Sequence, residues 1–428
     1  MSNSRSVTIT DAEKNKIFDW LSTNNFCVMP FHHVAIESNG DVRPCCLGDP
    51  LKNDDGTTFN SNGRPIIDII NHPTHIKFRQ SFLNNEQHPS CKPCWGDYHN
   101  DKFSGRYVYS SSLKVYHEVK KIIEGAAPSQ KLVWLEIKAG NRCNLACRIC
   151  GLWNSAKWLK ESYELQKTTR ESYPDFKQSP EFAYNQQAKW IDNVDFWKNI
   201  DGFDDIKIIH LMGGEPLMIE EHYEMLKALD EKFDASKIII WYNTNGTIIP
   251  TPEQEELLSR FKKIFWSVSI DDFGDKFNYQ RSGANWADVK EKLPYFFSKH
   301  NYESLIDATI SIYNIATIHE FVKELASIGL EKYFSPHYVT TPAGYSNVRT
   351  LHISVKEQIK QILLNNRSTI DNNFKMQVDN IINFMMFIDD WSESIDERRK
   401  NTIMFVDGKR NESFVKTFPE MARLLNYE

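Results

Sequence analysis

Apolar residues in this chain fall into short runs separated by longer amphipathic stretches, and from about residue 130 the two alternate. Six runs rich in β-branched and aromatic residues read as strands: KLVWLEI (131–137), IKIIHLM (206–212), KIIIWYN (237–243), KIFWSVSI (263–270), LIDATISI (305–312) and YFSPHYV (333–339). Between them MIEEHYEMLKALDEKF, PEQEELLSRFKK and TIHEFVKELASIG repeat apolar positions at helical spacing. The alternation predicts an α/β fold with parallel strands. Six units are too few to close an eight-unit barrel, so a partial (β/α)6 barrel is expected. Ligands in such sheets gather at the carboxyl ends of the strands.

The flanks differ. Residues 1–100 are rich in turns, with a polar loop at LKNDDGTTFNSNGR. There, alternation in FHHVAIE, an Asn-Gly turn and the run DVRPCC predict a β-hairpin. The stretch LQKTTRESYPDFKQSPEFAYNQQAK reads as an insertion between the first two β/α units, and the C-terminal part, with SVKEQIKQILLNN as one example, reads as helices. The expected division is a small cysteine-rich domain over 1–110, the partial barrel over 131–340 and a helical extension over 341–428.

Composition narrows the setting. Of 428 residues 41% are hydrophobic and 25% charged, as in an ordinary globular chain, and the net charge is −6. A broad electrostatic grip on nucleic acid or an anionic membrane is therefore not expected. No segment approaches the roughly 18 apolar residues of a spanning helix. The opening MSNSRSVTITDAEKNK lacks the apolar core of an export signal, which predicts a cytoplasmic location. Thiols stay reduced there, so the eight cysteines read as ligands rather than as a disulfide framework.

Three of them, Cys143, Cys147 and Cys150, fall in NRCNLACRICG, directly after the first predicted strand. Thiolates are soft ligands suited to iron–sulfur clusters or zinc. Structural zinc wants four protein ligands, whereas a cubane held by three thiolates keeps one iron open to an outside ligand. The spacing C-x3-C-x2-C resembles the signature of the radical S-adenosylmethionine (SAM) superfamily, with Ile149 where relatives often have an aromatic residue. The resemblance extends through the strand ends over about residues 131–340. MGGEP (212–216) is similar to the family's GGEP motif. Gly213 and Gly214 would let the backbone approach a ligand, Pro216 closes the motif, and Glu215 offers acceptors to an ammonium group. By resemblance, Glu215 and the adjacent backbone hold the amino group of SAM. YNTNG (242–246) presents Asn243 and Asn245 toward a ribose. Ser269 and Asp271 match an S-x-D pattern, and Arg281 in NYQRSG is a candidate for the SAM carboxylate, although an Asn replaces the usual acid of that stretch.

The remaining cysteines form a second set. Cys27, then Cys45-Cys46 at the end of the hairpin, then CKPCW with Cys91 and Cys94 are similar to the SPASM/twitch class of auxiliary cluster domains. Phe31 stands in for the usual Trp, and the domain precedes the barrel where most relatives place it after. The resemblance carries Cys27, Cys45, Cys91 and Cys94 over as ligands of an auxiliary 4Fe-4S cluster. Cys46 is an alternative to Cys45, and a four-thiolate zinc site is the competing reading. His32 and His33, adjacent in a strand, face opposite sides and are expected to be structural.

The resemblance implies two 4Fe-4S clusters, SAM, and an electron donor such as flavodoxin or ferredoxin. It implies reductive cleavage of SAM and hydrogen abstraction from a substrate, with the auxiliary cluster in electron transfer. A peptide is the default substrate. Only 26 residues precede Cys27, short for an added leader-binding domain at that end, and a sugar, amino acid or nucleotide is the alternative. A non-catalytic iron–sulfur or zinc scaffold is the reading from another class.

Overall fold

The computed structural model describes residues 10–95, 105–110, 116–169, 190–299, 301–339, 344–367, 372–387 and 390–427. All six expected strands are present: β3 (Trp134–Lys138), β4 (Ile208–Met212), β5 (Ile239–Thr244), β6 (Lys263–Ser269), β7 (Tyr302–Ile310) and β8 (Phe334–Tyr338), each parallel to its neighbour. The N-terminal hairpin forms as β1 (His33–Ile36) and β2 (Val42–Arg43), antiparallel, with Gly40 at φ 85° in its turn. The hairpin does not stand apart. β1 runs parallel to β3, from His33↔Trp134 to Ile36↔Ile137, and one sheet of order β2-β1-β3-β4-β5-β6-β7-β8 results.

Strand alternation divides the sheet into two faces. Leu135, Leu211, Ile240, Tyr242, Trp266 and Ile306 are essentially inaccessible and lie under helices. His222 of the helix Glu221–Lys232 reaches Tyr242 at 2.8 Å, and Phe296 of the helix Trp286–Phe297 packs on Trp266. The opposite face carries Glu136, His210, Trp241, Asn243, Ser267, Ser269 and Asp307, joined in register across β3 to β7. A row of polar side chains on the face away from the helices marks the side on which a ligand would lie.

Residues beyond β8 are helical as expected, in Ile353–Asn366, Asn372–Phe387, Glu393–Arg410 and Pro419–Leu425. Most of the predicted insertion, residues 170–189, lies outside the described residues. Among the described residues no helix is long and apolar enough to cross a membrane.

Candidate functional site

The loop after β3 carries Cys143, Cys147 and Cys150 and is fastened on two sides by backbone hydrogen bonds. On one side Ala139 N donates to Met212 O (2.7 Å), Gly214 N to Gly140 O (3.1 Å) and Glu215 N to Arg142 O (2.8 Å). On the other Ala146 N donates to Ser282 O (2.9 Å) and Arg148 N to Gln280 O (2.7 Å). The glycines of the GGEP turn serve this contact. A Cβ on Gly214 would lie 2.1 Å from Arg142 O, and Gly213, at φ 127°, would place one 2.8 Å from Ala139 N. The close approach they permit is to the cysteine loop itself.

The thiols are largely enclosed. Burial pushes Cys143 up to about 12, with the neighbouring Cys147 adding to it, and pushes Cys147 and Cys150 up as well. Such thiols ionise only when something cationic claims them, as metal binding does. Weak donors are already aimed at the sulfurs. Leu145 N lies 3.5 Å and Asn245 Nδ2 3.9 Å from Cys143 Sγ, and Arg281 Nη1 is 3.9 Å from Cys147 Sγ. Among the described residues no three His, Cys, Asp or Glu side chains converge as the ligands of a single metal ion do; a cubane instead meets each thiolate at a separate iron.

The strand-end residues come together around this loop. Glu215 is fully buried, and its carboxylate accepts from Thr244 Oγ1 (2.8 Å), Asn245 N (2.7 Å) and Leu217 N (3.2 Å), tying β4 to β5. Burial raises its pKa to about 7 against those donors. Pro216 opens the short turn that Glu215 caps. Asn245 braces the loop by donating to Asn144 Oδ1 (2.9 Å), whereas Asn243 lies on the polar face and meets His210 Nε2 at 2.7 Å. Asp271 Oδ1 accepts from Thr309 N and Oδ2 pairs with Arg281 Nη2 at 2.8 Å. Arg281 is thus held between a carboxylate and Cys147. Ser269 ends β6, in register with Asp307.

The second set of cysteines also gathers. Cys27, Cys45, Cys91 and Cys94 line one cavity together with Arg106 and Tyr109. Cys46 does not line it; its Sγ lies 2.7 Å from Tyr109 Oη. The geometry favours Cys45 over Cys46 as the fourth member. Burial pushes Cys27 up to about 12 and raises Cys45 and Cys91. His32 and His33 are both buried, with Nδ1 at 3.1 Å from Lys131 O and Pro44 O respectively, and neither lines the cavity.

Two features escaped the sequence reading. Glu136 sits between His33 Nε2 (3.7 Å) and His210 Nδ1 (3.8 Å) on the polar face; burial raises its pKa, but the two imidazoles outweigh that and hold it well below the carboxylate range. The C-terminal helix Glu393–Arg410 clamps the cysteine loop. Arg148, 1% exposed, pairs with Asp407 at 2.7 Å and with Glu412, and its guanidinium lies 4.0 Å over the Tyr279 ring. Arg410 donates to Ala146 O (2.8 Å) and Ser282 Oγ (2.7 Å), and Val406 joins Leu152 and Trp158 in an apolar cluster against Cys150. An arginine inside the C-x2-C spacing was the available signal, but its partners lie over 250 residues away.

Comparison with known proteins agrees with this layout. Residues 137–325 match the model of the radical SAM superfamily, and residues 27–95 match SPASM, an iron–sulfur cluster-binding domain. No curated protein matches the chain. Among solved structures, native anSMEcpe with bound AdoMet and Cp18Cys peptide is 15% identical with a TM-score of 0.34, over 54% of this chain and 57% of that one. SuiB of Streptococcus suis is 15% identical with a TM-score of 0.33, over 78% and 68%. SuiB bound to the precursor peptide SuiA is 14% identical, also at 0.33, over 78% and 70%. The match to anSMEcpe thus spans less than two thirds of that protein. The chain carries a radical SAM domain over residues 137–325 and, ahead of it, a SPASM-type iron–sulfur cluster-binding domain over residues 27–95.

Proposed function

We propose that this protein is an enzyme that reductively cleaves SAM and abstracts hydrogen from a substrate. The observation that carries the reading is the three-thiol loop at the carboxyl end of β3, held by the GGEP turn on one side and the Arg281 stretch on the other. Cys143, Cys147 and Cys150 would hold a 4Fe-4S cluster. Bound there with SAM, it supplies methionine and a 5′-deoxyadenosyl radical able to attack an unactivated C–H bond. The Glu215 carboxylate, already oriented by three donors, and the adjacent backbone carbonyls would hold the SAM amino group. Asn243, on the polar face, would reach its ribose. Arg281, fixed by Asp271, offers positive charge to Cys147 and to a nearby carboxylate. The polar face orients the substrate and excludes water, which supplies much of the rate.

Cys27, Cys45, Cys91 and Cys94 would hold a second cluster with every iron ligated by protein, which suits electron transfer better than substrate binding. The net reaction is then an oxidation or a cross-link, with a flavodoxin or ferredoxin as electron donor. A peptide is the substrate proposed, because many family members with auxiliary clusters modify peptides; a small metabolite is the alternative. The class is tested by anaerobic purification, iron and sulfide counting, and incubation with dithionite and SAM. 5′-Deoxyadenosine should form and should vanish in Cys147→Ala. Zinc at the three-cysteine loop, or SAM left intact, refutes the assignment.

A further inference from the structure

Glu136 lies on the polar face of β3, in register with Ala35 of β1 and His210 of β4. One of its oxygens, Oε2, is faced by two ring nitrogens, His33 Nε2 at 3.7 Å and His210 Nδ1 at 3.8 Å, and all three side chains are buried. The far nitrogens decide the tautomers. His33 Nδ1 meets Pro44 O at 3.1 Å and His210 Nε2 meets Asn243 Oδ1 at 2.7 Å. Both oxygens can only accept, so each far nitrogen carries the hydrogen. A neutral ring then turns a lone pair toward Glu136, and neither near nitrogen has a hydrogen-bond partner among the described residues. Three acceptors thus converge without a donor. One added proton would turn this poor contact into a charge-assisted hydrogen bond. Trp134, edge-on to His33 at 5.1 Å, and Trp241, stacked on His210 at 4.1 Å, wall the place with rings.

The place adjoins the four-cysteine cavity. Pro44, which accepts the His33 hydrogen, lines that cavity, and so does Tyr109, whose ring packs on Trp134 at 5.9 Å. Most other groups that face it keep one charge near neutral pH. Burial pushes Cys46 up to about 11 and raises Tyr109 of the helix Gly105–Ser110. His75, from the helix Pro73–Leu83, is lowered to about 3 by burial with Arg79 beside it. Lys138 is paired with Glu37 at 2.8 Å. Across the sheet Asp307 is paired with the exposed His337 at 3.2 Å.

We propose that Glu136, His33 and His210 together take up one proton when the auxiliary cluster is reduced, and that in turnover this proton comes from the substrate. The inference rests on the reading of Cys27, Cys45, Cys91 and Cys94 as cluster ligands. Reduction adds one negative charge beside a poorly solvated imidazole and favours its charged form. Linkage is reciprocal, so the proton favours the reduced cluster by the same amount. In turnover the 5′-deoxyadenosyl radical takes a hydrogen atom from a substrate carbon. The substrate radical then gives one electron to the cluster and one proton, from the atom that bonds to that carbon, to the imidazole. The carbon and that atom share one new bond. An electron-carrier protein removes the stored electron, and the proton passes to water. Electron and proton move toward the same end of the polar face, so the buried charge stays balanced.

The test is a redox titration of the full-length, reconstituted protein at about pH 6, 7 and 8, the span in which imidazoles ordinarily change charge, followed by electron paramagnetic resonance. It needs no substrate. The SAM-binding cluster is recognised by its response to added SAM, and the auxiliary cluster by its indifference. The auxiliary midpoint should fall by about 59 mV from the lowest pH to the highest, a tenfold change in the reduced-to-oxidised ratio at fixed potential. Glu136→Gln, which offers the near nitrogens a donor of its own, should flatten that dependence. The double variant His33→Gln with His210→Gln carries the same expectation and stands in if Glu136→Gln folds badly. His337→Gln should keep the dependence. A wild-type midpoint that ignores pH, an equal pH dependence of both clusters, or a dependence that survives Glu136→Gln and the double variant overturns the proposal. So does its loss in His337→Gln, which assigns the proton to the Asp307 pair. A wild-type protein with no SAM-indifferent cluster instead refutes the ligand reading beneath it.

Discussion

Replacing Arg148 with methionine tests whether the C-terminal helix governs the cysteine loop. Methionine keeps much of the stem and apolar contact but removes the guanidinium. The variant loses the pairs to Asp407 and Glu412 and the stacking on Tyr279. Arg148 is 1% exposed at its side chain, and the two carboxylates 15% and 25%. Breaking a buried pair costs about 3–5 kcal/mol, because the remaining carboxylates stay poorly solvated without a counter-charge. A surface pair of similar distance, such as Arg260–Asp230 at 2.6 Å with Arg260 51% exposed, is worth about 0–1 kcal/mol.

The assay is urea unfolding of the cluster-loaded protein, read as a midpoint because a chain of 428 residues need not unfold in one step. At roughly 2–3 kcal/mol per molar urea, Arg148→Met should fall by about 1–2 M and Arg260→Met by well under 0.5 M. Adding Asp407→Asn to Arg148→Met should restore part of the loss, since it removes one stranded charge. Equal small shifts for the two arginine variants, or a double variant worse than the sum of its parts, would refute the burial argument.

Gly214→Ala should expel the cysteine loop, because the new Cβ meets Arg142 O at 2.1 Å; iron per chain should drop by about half, and full iron loading would contradict this. Cys46→Ala should leave iron unchanged and Cys45→Ala should remove the auxiliary share, as only Cys45 lines the cavity; the reverse pattern in an iron assay would exchange their roles. Burial lowers the pKa of His222 to about 4 and, with Arg79 beside it, that of His75 to about 3. The unfolded chain takes up these protons near pH 6.5 and the native chain does not, so stability present above 6.5 is lost as pH falls. At pH 5 each costs about 2 kcal/mol, and His222→Gln should remove its own share from the difference between urea midpoints at pH 7 and pH 5; an unchanged difference would show that His222 does not titrate this way.

What could be read from the sequence was local. KIIIWYN and KIFWSVSI announce β5 and β6 by composition, and the Asn-Gly turn announces β1 and β2. The motif order placed Glu215, Asn245 and Arg281 near the cysteine loop, but not their partners. Glu215 turns inward to Thr244 and Asn245 because the glycines before it are consumed in packing on residues 139–142. The pairing of β1 with β3 joins segments about 100 residues apart and leaves no local trace. The Glu136–His210–Trp241 row is equally silent, since it exists only through register across three strands. Arg148 carries no local sign of Asp407 or Glu412 for the same reason.

The β1–β3 pairing also fixes where the two sets of cysteines lie on the sheet. β1 runs parallel to β3, and β2 turns back, so Cys27 and Cys45 lie by the amino ends of the strands while Cys143 follows their carboxyl ends. A five-residue strand such as β3 spans on the order of 16 Å, which sets the scale of separation along the sheet. Between the two thiol sets lies the polar face, where Tyr109, at the auxiliary cavity, packs on Trp134 at 5.9 Å and Trp134 stacks with Trp241 at 6.3 Å. A substrate on that face has the three-cysteine loop at one end and the four-cysteine cavity at the other. Because both ends hang on one hydrogen-bonded sheet, their spacing cannot drift as it would between domains joined by a linker. A cluster domain that precedes the barrel is therefore no obstacle to the electron transfer proposed for it: its hairpin reaches the sheet as the strand next to β3, and chain order ceases to matter once that pairing is made.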